Sequence, residues 1–135
     1  MQKRILVVDD EQDILTLIQE ILEDEGYSVQ TSTNGQCLQN LQGDLPDLIL
    51  LDIMLAGEDG RELCAQLKQR EETRHIPVIL CSAHFSGDII TYLAGASTFL
   101  PKPFEISDLI NTIARYTSTP SSTSERSFSK TRRER

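Results

Sequence analysis

The chain has no tryptophan, so no indole fluorescence can report on its folding or its ligands. Cysteine is scarce. Cys37, Cys64 and Cys81 are odd in number, widely spaced and form no C-x-x-C. They read as small buried hydrophobes in a reducing compartment, not as a disulfide framework. No stretch approaches the ~20 apolar residues of a bilayer span. The apolar run after Lys3-Arg4 is also too short for the ~7–15-residue core of a secretory leader. The expectation is a cytoplasmic protein with no membrane partner. G-x-G-x-x-G and the P-loop lysine motif are both missing, which removes the common nucleotide-binding readings. There is no internal repeat. Basic charge is concentrated at one end: from Thr117 onward, Arg126, Lys130, Arg132, Arg133 and Arg135 outnumber Glu125 and Glu134, in a chain of net charge -8. The body is therefore acidic and has no basic patch, which argues against its binding nucleic acid.

What is present is a regular alternation. At 135 residues, 39% hydrophobic and 25% charged, the chain fits one soluble globular domain with a real core. Strand-like runs fall at about 4–8, 28–32, 47–51, 78–81 and 98–100. Helix-like segments follow each, at about 12–25, from Asn34 on, from Asp59 on, at 86–94 and at 105–116. In the first helix Ile14, Leu17, Ile18, Ile21 and Leu22 recur at helical spacing, and Gly26 is a plausible stop. Asn34 and Asp59 are the expected caps of the second and third. Such alternation with short loops predicts an α/β fold, a doubly wound parallel sheet with helices on both faces. The domain is expected over 1–116. Residues 117–135 are a Ser/Thr-rich, basic tail or linker that cannot bury enough surface to order itself.

The strand at Leu48-Ile49-Leu50-Leu51 has no polar alternation, as in a strand buried on both faces, and it runs into Asp52. The first strand runs into Asp9-Asp10. With all strands parallel, Asp9, Asp10, Asp52, Ser82 and Lys102 land on one edge, the carboxyl edge, where open α/β sheets bind ligands. Asp9-Asp10 alone would read as dipole placement at the start of the first helix. Two carboxylates about 5 Å apart repel by roughly 3 kcal/mol at an effective dielectric near 20, so three together call for a cation. Short Asp side chains suit Mg²⁺ or Mn²⁺. Lys102 lies between Pro101 and Pro103, which stiffen its backbone and aim its ammonium. Ser82 adds a hydroxyl. Metal, lysine and hydroxyl around a carboxylate nucleophile is the equipment of phosphoryl transfer.

In order and spacing, Asp9-Asp10, Asp52, Asp59-Gly60, Ser82-Ala83, Gly95-Ala96, Phe99 and Lys102-Pro103-Phe104 resemble the response-regulator receiver domain of two-component signalling, the CheY-like superfamily. The match covers about residues 3–116. The resemblance implies a flavodoxin-like (βα)5 fold with strand order 2-1-3-4-5. It implies that Asp52 accepts a phosphoryl group from a histidine kinase or a histidine phosphotransfer protein. Asp10, Asp52 and the Met54 backbone carbonyl would bind Mg²⁺ directly, with Asp9 acting largely through water. Lys102 would pair with the phosphoryl group next to a cis Lys102-Pro103 bond. Ser82 and Phe99 would be the switch residues, altering the face of the fourth helix, fifth strand and fifth helix for an unknown protein partner. That face is also the expected surface of any homodimer. Apart from its own phosphorylation and dephosphorylation, the chain is not expected to be an enzyme.

Two positions depart from the family pattern. Ala56 stands where Pro is frequent, and Glu58 where a hydrophobic residue, commonly Met, is usual. His84 and Met54 fall where the family varies. A Mg²⁺-dependent hydrolase with an Asp nucleophile is disfavoured, because Asp52-Ile53-Met54 lacks a second Asp two residues on. The alternative is a phosphorylation-independent interaction module of the same fold, which a missing acid or lysine would have favoured. A DNA-binding effector would need on the order of 60 further residues.

Overall fold

The computed structural model describes residues 2–41, 43–83 and 95–118. The expected fourth helix at 86–94, His84 and the tail beyond residue 118 lie outside them. In chain order the elements are β1 (Arg4–Val8), α1 (Gln12–Asp24), β2 (Ser28–Ser32), α2 (Gln36–Gln39), β3 (Leu48–Asp52), β4 (Met54–Leu55), β5 (Glu58–Asp59), α3 (Gly60–Gln69), β6 (Val78–Ser82), β7 (Thr98–Pro101) and α4 (Ile106–Thr117). Five strands form one parallel sheet in the order β2-β1-β3-β6-β7. Counting only that sheet's strands, this is the flavodoxin-like order 2-1-3-4-5.

The period of two along each strand divides the core. Leu6, Val8, Ile49, Leu51, Val78 and Leu80 face one side, where they meet Leu38 of α2 and Leu63, Cys64 and Leu67 of α3. Ile5, Val7, Leu48, Leu50 and Ile79 face the other, with Leu15, Ile18 and Leu22 of α1 and Leu109 and Ile113 of α4. All five residues of β3 are buried, because it is the central strand and is covered on both faces.

Register determines what emerges at the edge. Val8 pairs with Leu51, so Asp9 and Asp52, each one residue further on, come out level with each other. Asp52 pairs with Cys81, and Ser82 pairs with Pro101. Ser82 and Lys102 therefore project just beyond the two acids.

Several local expectations change. On α1 the buried stripe is Leu15, Ile18 and Leu22, while Leu17 is 50% exposed and Leu15 only 1%. Two apolar stripes overlap on this helix, and contact with the sheet selects one. Helix α2 is a single turn: Asn34 Oδ1 accepts from Gln36 N–H at 2.9 Å, but Gly35 holds the cap position. Cys64 and Cys81 are buried as expected, whereas Cys37 is only half-buried. The loop after β3 contains an unexpected antiparallel pair, β4 with β5, turning through Ala56-Gly57 with Gly57 at φ +76°. Helix α4 runs one residue past the expected end, and Thr117 is buried. Its hydroxyl donates to Ile113 O at 2.9 Å and lies 3.3 Å from Tyr27 Oη. Among the described residues, no helix is long and apolar enough to cross a membrane.

Candidate functional site: an acidic cleft at the carboxyl edge

Asp9 directly follows β1 and is almost wholly buried, at 2% exposure. Its Oδ1 accepts from Glu11 N–H at 2.9 Å, which ties the carboxylate to the start of α1. Asp52 ends β3 at 5% exposure, with Oδ1 3.4 Å from Met54 N. Asp10 is exposed at the mouth. The three carboxylates each offer an oxygen within 4.8 Å of the others. Asp10 and Asp52 border an open cleft of about 340 Å³, lined also by Glu11, Met54, Ser82, Ala83 and Lys102, with Asp9 buried within reach of both.

Lys102 reaches this cleft from the far side of the sheet. Its backbone N–H donates to Ser82 O at 3.0 Å, extending the β6–β7 ladder by one rung. The Lys102–Pro103 peptide is cis. Its Nζ lies 2.7 Å from Asp9 Oδ2 and 3.6 Å from Asp52 Oδ2. The ammonium thus bridges two acids and sits closer to Asp9.

Electrostatics at the two ends of this bridge differ. Burial pushes the Asp52 carboxyl above its usual range; Lys102 opposes this, while Asp9 and Asp10 add to it. Burial works against the Lys102 ammonium, but its bond to Asp9 and the nearby carboxylates outweigh that and raise its pKa. Asp52 is therefore a desolvated carboxylate whose stable charged form depends on neighbouring cations. Burial pushes the thiol of Cys81, paired with Asp52 across the ladder, up to about 12, so it stays protonated.

Backbone packing behind Asp52 adds a requirement. Gly60 N–H donates to Ile53 O at 2.8 Å, and a Cβ on residue 60 would overlap the Asp52 carbonyl oxygen and come within 2.8 Å of Ile53 Cα. Gly60 lets the start of α3 lie directly against the backbone of Asp52 and Ile53. The sequence motif contained this glycine, but only the packing shows its purpose.

The structure gathers Asp9, Asp10, Asp52, Ser82, Lys102 and the Met54 backbone at the cleft. It does not bring Phe99 there. Phe99 is partly buried on β7 and packs against the core side shared by α2 and α3. Glu58, noted in the sequence only as a departure, reaches across to Gly35 N–H at 2.8 Å.

The donor set fits a hard divalent cation. It offers carboxylate oxygens only, from three short side chains, with one of them exposed where water can complete a shell. Lys102 balances the inner two acids and leaves Asp10 at the rim.

A doubly wound α/β domain with three acids, a lysine and a serine at the carboxyl ends of β1, β3, β6 and β7 defines a class of α/β domains with an acidic pocket at the carboxyl edge of the sheet. Residues 5–114 match the family model of the response regulator receiver domain, and the chain belongs to that family. It is 46% identical over 108 residues to the response regulator PleD of Caulobacter vibrioides, a match covering 78% of this chain and 24% of that protein. It is 35% identical to sporulation initiation phosphotransferase F of Bacillus subtilis, covering 86% of this chain and 94% of that one. Among solved structures, the receiver domain of a Pseudomonas aeruginosa sensor histidine kinase, with a magnesium ion coordinated in its active-site cleft, superposes with a TM-score of 0.77. That match has 28% identity and covers 87% of this chain and 98% of the other. The chain spans 24% of the length of PleD and 44% of that of the next distinct relative, the alkaline phosphatase synthesis regulator PhoP of Bacillus subtilis.

Proposed function

We propose that this domain is a phosphorylation-operated signalling switch with Asp52 as phosphoacceptor. The observation that carries the reading is the placement of Lys102 Nζ, 2.7 Å from Asp9 and 3.6 Å from Asp52, within a cluster of three acids. Asp9, Asp10, Asp52 and the Met54 carbonyl would hold Mg²⁺. When bound, the ion supplies positive charge that offsets the phosphoryl oxygens.

The remaining steps belong to the chain's own groups. An Asp52 carboxylate oxygen attacks phosphorus, forming an O–P bond. The P–N bond of a donor phosphohistidine breaks, leaving a neutral imidazole once a proton is taken up. With acetyl phosphate the P–O bond breaks and acetate leaves. Desolvation of Asp52 keeps its oxygen poorly solvated and ready to attack. Lys102 would exchange its contact with Asp52 for one with the phosphoryl group while keeping Asp9. Ser82, buried beside the cleft, would donate its hydroxyl to a phosphoryl oxygen. Inward rotation of Phe99 would follow and change the surface that β7 and α4 present to an output partner.

On this reading the domain turns over no separate substrate. Its donor is a histidine kinase or phosphotransfer protein, and its setting is the cytoplasm, where free cysteines stay reduced.

Intact mass after acetyl phosphate treatment tests this. Wild type is expected to gain one base-labile phosphoryl group that requires Mg²⁺, and Asp52→Asn none. Full labelling of Asp52→Asn would overturn the assignment.

A further inference from the structure

Glu58 lies outside the catalytic set, yet it connects the two limbs of the site. Its Oε1 accepts from Gly35 N–H at 2.8 Å, across 23 residues of sequence. The approach is close enough that a Cβ on residue 35 would lie 3.1 Å from both Glu58 oxygens and 2.6 Å from Leu63 Cδ1. Glycine at 35 leaves the backbone N–H open to the carboxylate.

Each end of this bond leads back to an acid. On one side Glu58 belongs to the hairpin, where it pairs with Leu55, and Asp59 pairs with Met54. The Met54 N–H in turn faces Asp52 Oδ1 at 3.4 Å. On the other side the loop holding Gly35 is braced by Ser32, whose hydroxyl donates to Asn34 O at 2.9 Å. Asp9 N–H donates to Ser32 O at 3.1 Å. The Glu58–Gly35 bond therefore closes a loop of contacts running Asp52, Met54, hairpin, Glu58, Gly35, Ser32, Asp9. A hydrophobic residue at 58 could pack against Leu63 but could not accept this bond.

We infer that Glu58 is a positioning residue for the acidic cleft, whose bond to Gly35 N–H holds the β4–β5 hairpin, and with it the Met54 backbone, in place beside Asp52. Glu58 touches neither the cation nor the phosphoryl group. It acts through the hairpin, by limiting how far Met54 can move from the metal-binding acids. The inference rests on the proposed Mg²⁺ role of the cleft.

The test uses the full chain, Mg²⁺ alone as probe, and the variants Glu58→Gln and Glu58→Met. Backbone amide shifts of Gly35 and Met54 are followed by NMR through a Mg²⁺ titration. Glutamine keeps an oxygen acceptor and loses the charge; methionine loses both. Groups that directly orient a metal ligand typically alter affinity ~10–100-fold, and Glu58 is one link further out, so a loss of about three- to tenfold is expected for Glu58→Met. Glu58→Gln is expected to stay within about twofold of wild type. The Gly35 amide should move in Glu58→Met before any Mg²⁺ is added. Phosphorylation by acetyl phosphate should slow at low Mg²⁺ and recover when Mg²⁺ saturates. Wild-type Mg²⁺ affinity in Glu58→Met would overturn the inference, even if that variant melted earlier. Equal losses in both variants would also overturn it, since charge alone would then be responsible. A wild type that binds Mg²⁺ but takes no phosphoryl group would refute the switch, while the affinity comparison would still decide the role of Glu58.

Discussion

Asp52 occupies a place that penalises its own charge. Burial raises its pKa above that of an unfolded aspartate, and Asp9 and Asp10 push the same way against Lys102. Between the unfolded and folded values the native state binds more protons, so stability falls as pH rises through that window. Above it the full penalty is present; below the ordinary carboxylate range it vanishes. A neutral side chain escapes this loss. Asp52→Asn is therefore expected to melt higher than wild type at neutral pH in chelator, with the gain shrinking as pH falls toward the ordinary carboxylate pKa. About 1 kcal/mol of relief would move the midpoint by roughly 4 °C in a domain of this size. Thermal denaturation followed by circular dichroism across pH is the check. An unchanged or lower midpoint at neutral pH would mean that Lys102 compensates Asp52 more than burial and the other acids penalise it.

Helix α3 begins without a spacer after the hairpin, so its cap also determines how the loop behind Asp52 ends. Asp59 Oδ1 accepts from Arg61 N–H at 2.8 Å, satisfying one of the open donors of the first turn. The same carboxylate takes the Arg61 guanidinium at 2.6 Å, and these bonds hold the Asp59 carboxyl below its usual range. That ion pair is substantially exposed and contributes little by itself. The cap is the larger effect. Asp59→Ala is expected to cost about 1 kcal/mol, and Asp59→Asn clearly less, because an amide oxygen still caps. Urea unfolding of the three proteins decides it; equal losses for Ala and Asn would assign the effect to the Arg61 pair instead.

At the scale of the molecule, one sheet carries two cores, and α1 and α4 close one of them. The last turn of α4 belongs to that closure. Thr117 is buried, bonds back to Ile113 O and meets Tyr27 Oη after α1. The packed part of α4 therefore includes Thr117. A chain ending at Tyr116 is expected to unfold at lower urea than one ending at Ser118, by about 1 kcal/mol for the lost hydroxyl bonds and packing. Coincident midpoints would show that Thr117 is only a bystander at the helix end.

By itself the sequence determined the chain order of the five sheet strands and of helices α1 to α4, the unbroken burial of β3 and the presence of acids, serine and lysine at one edge. These follow from local rules: an apolar run without alternation is covered on both faces, and parallel strands deliver their last residues to the same side. The strand order came from resemblance, since periodicity carries no information on which strands pair. Tertiary structure alone decided the rest. Pairing of Val8 with Leu51 brought Asp9 level with Asp52. Contact with the sheet chose Leu15 over Leu17 on α1. The placement of β7 against β6 let Lys102 bridge Asp9 and Asp52. The hairpin turned Glu58 toward Gly35. Each of these depends on groups far apart in the chain, and their distances are set by how the sheet and helices pack, which no local pattern encodes.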